Sequence, residues 1–198
     1  MQQAFRSVDL PSPDADAVNR IIGLSLGNAV TGLLSAERHN DVQLHQQIEQ
    51  AYRESYLSAE HDITLFPHVR ETLEALRERG YWLGVVTGKS KSGLLRVLER
   101  FHLSEMFYVL RTADCTHSKP HPAMVLECMQ EMGVAAEQTV VIGDALFDIQ
   151  MAKAAGVRSL GVSFGVAETE SLLQAGAEDV VHAFPDLFAY FPALQELP

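Results

Sequence analysis

Residues 139–148 read Thr-Val-Val-Ile-Gly-Asp-Ala-Leu-Phe-Asp and hold the side chains best placed to do chemistry. Four strand-type residues end at Gly143, where the backbone can turn sharply. Asp144 then stands at the carboxyl end of that strand. Asp148 follows four residues later, at the start of a helix that runs to Ala155. Ligands of open α/β sheets bind at this edge. Two carboxylates held there by rigid backbone suit a hard cation such as Mg²⁺, which takes oxygen ligands and keeps part of its water. A plainer reading has Asp144 capping the helix and Asp148 solvated on its first turn.

Two other strand ends offer complementary groups. Thr87-Gly88 presents a hydroxyl and an unobstructed backbone N–H, both able to donate to a phosphate oxygen. Ser118-Lys119-Pro120 lies in the loop after the next strand, where proline stiffens the chain and Lys119 supplies a compact positive charge. The plain alternatives are a helix-capping threonine and a solvated lysine. Parallel strands share their carboxyl ends, so the three sets are predicted to meet on one rim. A hydroxyl, a lysine and paired carboxylates make a phosphate-plus-Mg²⁺ site.

The elements that must position these groups follow from periodicity. Residues 1–8 read as helical, 10–13 as a turn, and 14–58 as several short helices broken at Gly23, Gly27 and Gly32. From residue 67 the texture changes. Helices are expected at 67–79, 90–100, 122–132, 144–155, 168–174 and 185–190, and strands at 82–87, 107–110, 139–142, 157–162 and 179–181. Such alternation means an α/β fold, a parallel sheet with helices on both faces. The domains expected are 1–9 as part of a core helix, 10–65 as a small helical cap, and 66–198 as the sheet-bearing core.

Composition narrows the function. A formal net charge of −11 over 198 residues argues against nucleic acid and anionic membrane surfaces as partners. Two cysteines, Cys115 and Cys128, offer no disulfide framework, which favours a reducing cytoplasm. No apolar run approaches the ~20 residues of a membrane span, and residues 1–10 are no signal peptide.

Three motifs in this order resemble those of the haloacid dehalogenase superfamily, most closely its phosphoglycolate-phosphatase-like branch. The matching segments are 86–90, Val-Thr-Gly-Lys-Ser; 118–122, Ser-Lys-Pro-His-Pro; Gly143-Asp144 through Asp148; and 151–156, Met-Ala-Lys-Ala-Ala-Gly. The resemblance implies a Rossmann-like core with a helical cap. It also implies hydrolysis of a small phosphate monoester, phosphoglycolate favoured, through an aspartyl-phosphate with Mg²⁺ as cofactor. Asp144 would ligate the metal, with Asp148 supporting it directly or through water. Thr87 and Gly88 would hold phosphate, Lys119 would stabilise charge, and Lys119, Thr87 and Asp148 form the catalytic set.

The family's first motif, Asp-x-Asp-Gly-Thr after a strand, is absent. The only Asp-x-Asp is Asp14-Ala15-Asp16, which follows Pro11-Ser12-Pro13 and reads as a helix start. Both a frame that begins upstream of Met1 and a shortened protein remain open. The chain as it stands is therefore expected to be inactive. Its sheet would lack the central strand between those ending at Thr87 and Ile142, so the slot would be filled by another segment or chain, giving a possible homo-oligomer, or would close. The alternative is a non-catalytic phosphate- or protein-binding remnant of the fold. Three weaker signals compete with this reading. Gly161-Val-Ser163-Phe-Gly165 matches a serine-hydrolase elbow, but only Asp179 and His182 follow it, and no helix is expected directly after Ser163. Cys115, His117, His121 and Cys128 match no common zinc spacing. Gly23 to Gly27 lacks the strand and lysine of a P-loop.

Overall fold

In the computed structural model residues 1–194 are described, and the chain divides into two compact units, Met1–Leu65 and Phe66–Pro198. The first unit is helical: α1 (Gln2–Arg6), α2 (Ala15–Arg20), α3 (Leu26–Leu33) and α4 (Val42–Ala59). Short polar residues start its helices. Asp14 accepts the Ala17 N–H at 2.6 Å and Asp41 accepts the Leu44 N–H at 3.1 Å, so Asp14-Ala15-Asp16 is a helix N-terminus. Gly23, at φ 101°, lies in the turn between α2 and α3. α1 buries Ala4 and Phe5 in one cluster with Val30, Leu34 and Ile48. Residues 1–9, expected with the core, thus pack among the helices of this unit.

The second unit alternates strand and helix. In order come α5 (Val69–Glu78), β1 (Gly84–Thr87), α6 (Lys91–Arg100), β2 (Val109–Thr112), α7 (Ala123–Met132) and β3 (Val140–Gly143). Then follow α8 (Leu146–Ala155), β4 (Arg158–Val162), α9 (Thr169–Ala175) and β5 (Asp179–Val181). Every strand pairing is parallel, as the alternation requires. β2 begins two residues later than expected, because Val109 stands opposite Gly84 while the Tyr108 N–H already bonds the Leu83 carbonyl. The expected last helix is a 3₁₀ segment, Phe184–Ala189, tightened by Asp186 accepting the N–H groups of His182 and Ala183. Residues 188–194 return to α5. Arg79 donates to the Phe188 and Phe191 carbonyls, Tyr81 to that of Pro192, and the Leu194 N–H to the Arg79 carbonyl.

The strands form two separate ladders, β1–β2 and β3–β4–β5. Among the described residues no strand pairs with the free edge of β1 or of β3, and residues 2–6 are helical, so they supply none. The two ladders still share an apolar layer: Val86 of β1 packs against the cluster of Met124, Val125, Val141, Met151 and Ala152. Burial differs accordingly. β4 is buried from Ser159 to Val162, whereas Ile142 of β3 is 38% exposed and no residue of β1 is fully buried. In a parallel sheet covered on both faces, central strands are normally the most buried. No described helix is long and apolar enough to cross a membrane.

The two thiols should react very differently. Cys128 faces inward from α7, and burial pushes its thiol up to about 11, while Cys115 is exposed. A thiol-reactive dye at pH 8 is expected to modify one cysteine of the native protein quickly and the second only on unfolding. Cys115→Ser should remove the fast reaction; two equally fast thiols would contradict the placement of Cys128.

Candidate active site

β3 and α8 build the centre of the site. α8 opens with Ala145 as its N-cap, and Asp148 occupies the first turn. Asp148 Oδ2 accepts the Ala145 N–H at 3.1 Å, and its Oδ1 accepts from Lys119 Nζ at 2.5 Å. Asp148 is 5% exposed and Lys119 6%. The capping carboxylate is therefore Asp148 rather than Asp144, and it is buried rather than solvated. Gly143 makes this possible: a Cβ there would lie 2.3 Å from Asp148 Cβ and 2.6 Å from Oδ2. Any side chain at 143 would evict the carboxylate.

Asp144 is held by its own set of contacts. Its Oδ2 accepts the Val166 N–H at 3.2 Å, and its backbone carbonyl accepts the Ala167 N–H at 2.9 Å. Burial first, and the charge of Asp148 second, raise the Asp144 carboxyl above its ordinary range; the Val166 N–H and Lys119 pull the other way. Asp144 and Asp148 together carry two negative charges against the single positive charge of Lys119. That imbalance, in a partly buried set of oxygen donors, fits a hard divalent cation. The fit is incomplete, since among the described residues no three His, Cys, Asp or Glu side chains converge to hold a metal.

Lys119 reaches the centre from the loop between β2 and α7, just before a cis Lys119–Pro120 bond. Its buried ammonium is not the solvated lysine of the plain alternative. Thr87 and Gly88 close β1, in the other ladder, and Thr87 Oγ1 accepts the Lys89 N–H at 3.2 Å. The direct contact among the expected site residues is Lys119 with Asp148, with Asp144 coupled to both through its charge. Cys115, His117, His121 and Cys128 form no metal cluster; the two imidazoles lie 4.5 Å apart, Cys115 is exposed and Cys128 is buried.

Sequence reasoning missed the loop after β4, whose backbone grips Asp144. It also undervalued a contact nearby: Ser163 Oγ lies 2.7 Å from His182 Nδ1. The residues between them are too far apart in sequence for a local pattern, and only the parallel register of β4 and β5 brings them together. Helix α9 begins at Thr169, so Ser163 sits on no strand-to-helix elbow.

The buried ion pair makes a clear prediction. Lys119→Met leaves the Asp148 carboxylate buried and uncompensated, and removing one partner of such a pair typically costs ~3–5 kcal/mol. Urea denaturation should show that loss, and Lys119→Met/Asp148→Asn should recover most of it. Equal stability of Lys119→Met and the parent chain would mean that the pair is solvated.

Comparisons with known proteins bear on the family and the fold. The sequence profile of the haloacid dehalogenase-like hydrolases matches residues 1–162. A protein of Dickeya dadantii described as a probable phosphatase, IndB, is 32% identical over 197 residues, covering 98% of this chain and 85% of that protein. The phosphoglycolate phosphatase of Escherichia coli K12 is 36% identical over 137 residues, which are 69% of this chain but only 53% of the enzyme. The match thus spans about half the length of that relative. The crystal structure of a hydrolase from Pseudomonas syringae superposes with a TM-score of 0.86 at 21% identity, covering 98% of this chain and 89% of that one, a likeness of fold. Profile, relatives and fold agree: this chain belongs to the haloacid dehalogenase-like hydrolases, on the branch whose named relatives are phosphatases.

Proposed function

We propose that this chain carries most of the site of a Mg²⁺-dependent phosphatase for a small phosphate monoester, with phosphoglycolate the favoured substrate. The observation that carries the reading is the buried Lys119–Asp148 pair set beside Asp144 at the carboxyl end of β3. In this reading Asp144 holds the cation. Asp148, whose two oxygens already serve Lys119 and the Ala145 N–H, orients the lysine and reaches the cation through water. Lys119 offers positive charge to the phosphoryl oxygens, and Thr87 with the Gly88 N–H binds them from the end of β1. Bound Mg²⁺ would neutralise phosphoryl charge and orient the ester. The partner is a small phosphorylated metabolite in the cytoplasm, not nucleic acid or membrane.

Covalent phosphoryl transfer also needs a carboxylate nucleophile. In this reading the Asp14-Ala15-Asp16 segment does not supply it, since Asp14 caps a helix by accepting the Ala17 N–H. The two unjoined ladders support the reading that a central strand, and the nucleophile with it, lies outside these residues. A non-catalytic phosphate- or protein-binding role, with a homo-oligomer formed through the free strand edges, is the second reading; the same two ladders favour it.

Two outcomes are expected. The 198-residue chain should not turn over phosphoglycolate or p-nitrophenyl phosphate with Mg²⁺. Metal-dependent turnover lost in Asp144→Asn would overturn this and show that the residues present suffice. Mg²⁺ should bind weakly, because a half site cannot offer near-octahedral oxygen geometry. Titration calorimetry finding micromolar affinity would show that the site is complete without a further strand.

A further inference from the structure

Gly165 lies on the surface, in the loop between β4 and α9, and nothing about its backbone calls for glycine. The glycines with positive φ are Gly23, Gly80, Gly133, Gly156 and Gly176; Gly165 is not among them. Its residue is exposed, so close packing of a core is no reason either. One neighbour explains it. A Cβ at 165 would lie 2.1 Å from Asp144 Cβ, 2.3 Å from Oδ2 and 2.6 Å from Cγ, and all three distances are inside van der Waals contact.

The next two residues complete the arrangement. The Val166 N–H donates to Asp144 Oδ2 and the Ala167 N–H to the Asp144 carbonyl. Three consecutive residues therefore fix one aspartate by one close approach and two hydrogen bonds. Gly161, at the other end of the Gly-x-Ser-x-Gly pattern, differs: a Cβ there would meet Leu172 and Val180 at 3.0 Å, a matter of core packing. Ser163 in the middle is engaged with His182. The pattern thus divides into a packing glycine, a hydrogen-bonded serine and a glycine against the site.

We propose that Gly165 is a positioning residue: its missing side chain lets the 165–167 backbone close on Asp144 and aim the carboxylate that the proposed function assigns to the cation. The inference rests on that assignment for its consequence, though not for its geometry. Gly165→Ala would push the carboxylate away from the Val166 N–H, and lost support of a metal ligand typically lowers affinity by ~10–100-fold.

Two measurements on the 198-residue chain test this. In the absence of metal, amide hydrogen exchange should accelerate at Val166 and Ala167 in Gly165→Ala by about tenfold or more, while amides of β4 keep their protection. Unchanged exchange at both residues, or equal acceleration through β4, would overturn the proposal. With Mn²⁺ as the probe, read by electron paramagnetic resonance, Gly165→Ala should weaken binding at least ~10-fold, in the direction of Asp144→Asn. Equal affinity in Gly165→Ala and the parent chain, with Asp144→Asn impaired, would also overturn it. Mn²⁺ binding indifferent to Asp144→Asn would remove the cation assignment instead, and the exchange result would still decide the positioning. Should Gly165→Ala unfold, Asp144→Gly/Gly165→Ala decides: recovery of the fold places the conflict at Asp144, and failure to recover removes it from there.

Discussion

The interaction on which most of this architecture depends is the buried pair of Lys119 and Asp148. Taking two charges out of water is costly, and such a pair persists only where geometry and further hydrogen bonds offset the penalty. Here the offsets are visible. The Ala145 N–H serves the second carboxylate oxygen, and Gly143 leaves the room in which the carboxylate sits. The pair also bridges two parts of the second unit. Lys119 comes from the connection between β2 and α7, and Asp148 from the first turn of α8, so one salt bridge ties the β1–β2 ladder to the β3–β4–β5 ladder.

Asp144 stands in an opposite situation. Burial and a neighbouring carboxylate make its charge unfavourable, and the protein answers with backbone donors rather than a second lysine. A carboxyl whose pKa is raised by burial and a like charge is a common mark of a functional site. The same logic runs through both glycines that face the aspartates. Each removes a side chain so that main chain or capping turn can approach a carboxylate, and specificity of position is obtained from backbone, the stiffest material available.

Much of this was legible in the amino acids alone. The alternation of elements from residue 67 onward announced parallel strands, though not their division into two ladders, and the strand-turn-helix around Gly143 was legible from Thr139 to Ala155. Lys119 was singled out as a compact positive charge in a proline-stiffened loop after a strand, and it is buried against Asp148. What escaped had a common cause. The partner of Asp144 is a main-chain N–H some twenty residues away, and backbone donors leave no trace in residue type. Ser163 and His182 meet only through strand register, and the start of β2 was set by the strand beside it. The capping role passed from Asp144 to Asp148 because helix α8 begins one residue beyond the strand's sharp turn, putting the N3 position at 148.

The two ladders have a consequence for how this half of the molecule forms. Each is built from one unbroken stretch of chain, residues 84–112 for the first and 140–181 for the second, so each closes by short local connections at low entropic cost. Between them runs no ladder of strand hydrogen bonds. Their union depends on side-chain packing around α7 and α8, on the salt bridge, and on the returning stretch that bonds to Arg79 and Tyr81. Side-chain contacts are shorter in range and looser in geometry than a strand ladder. Within this unit the strand hydrogen bonds are thus confined to each half, and the seam between the halves is a junction of packing and one ion pair.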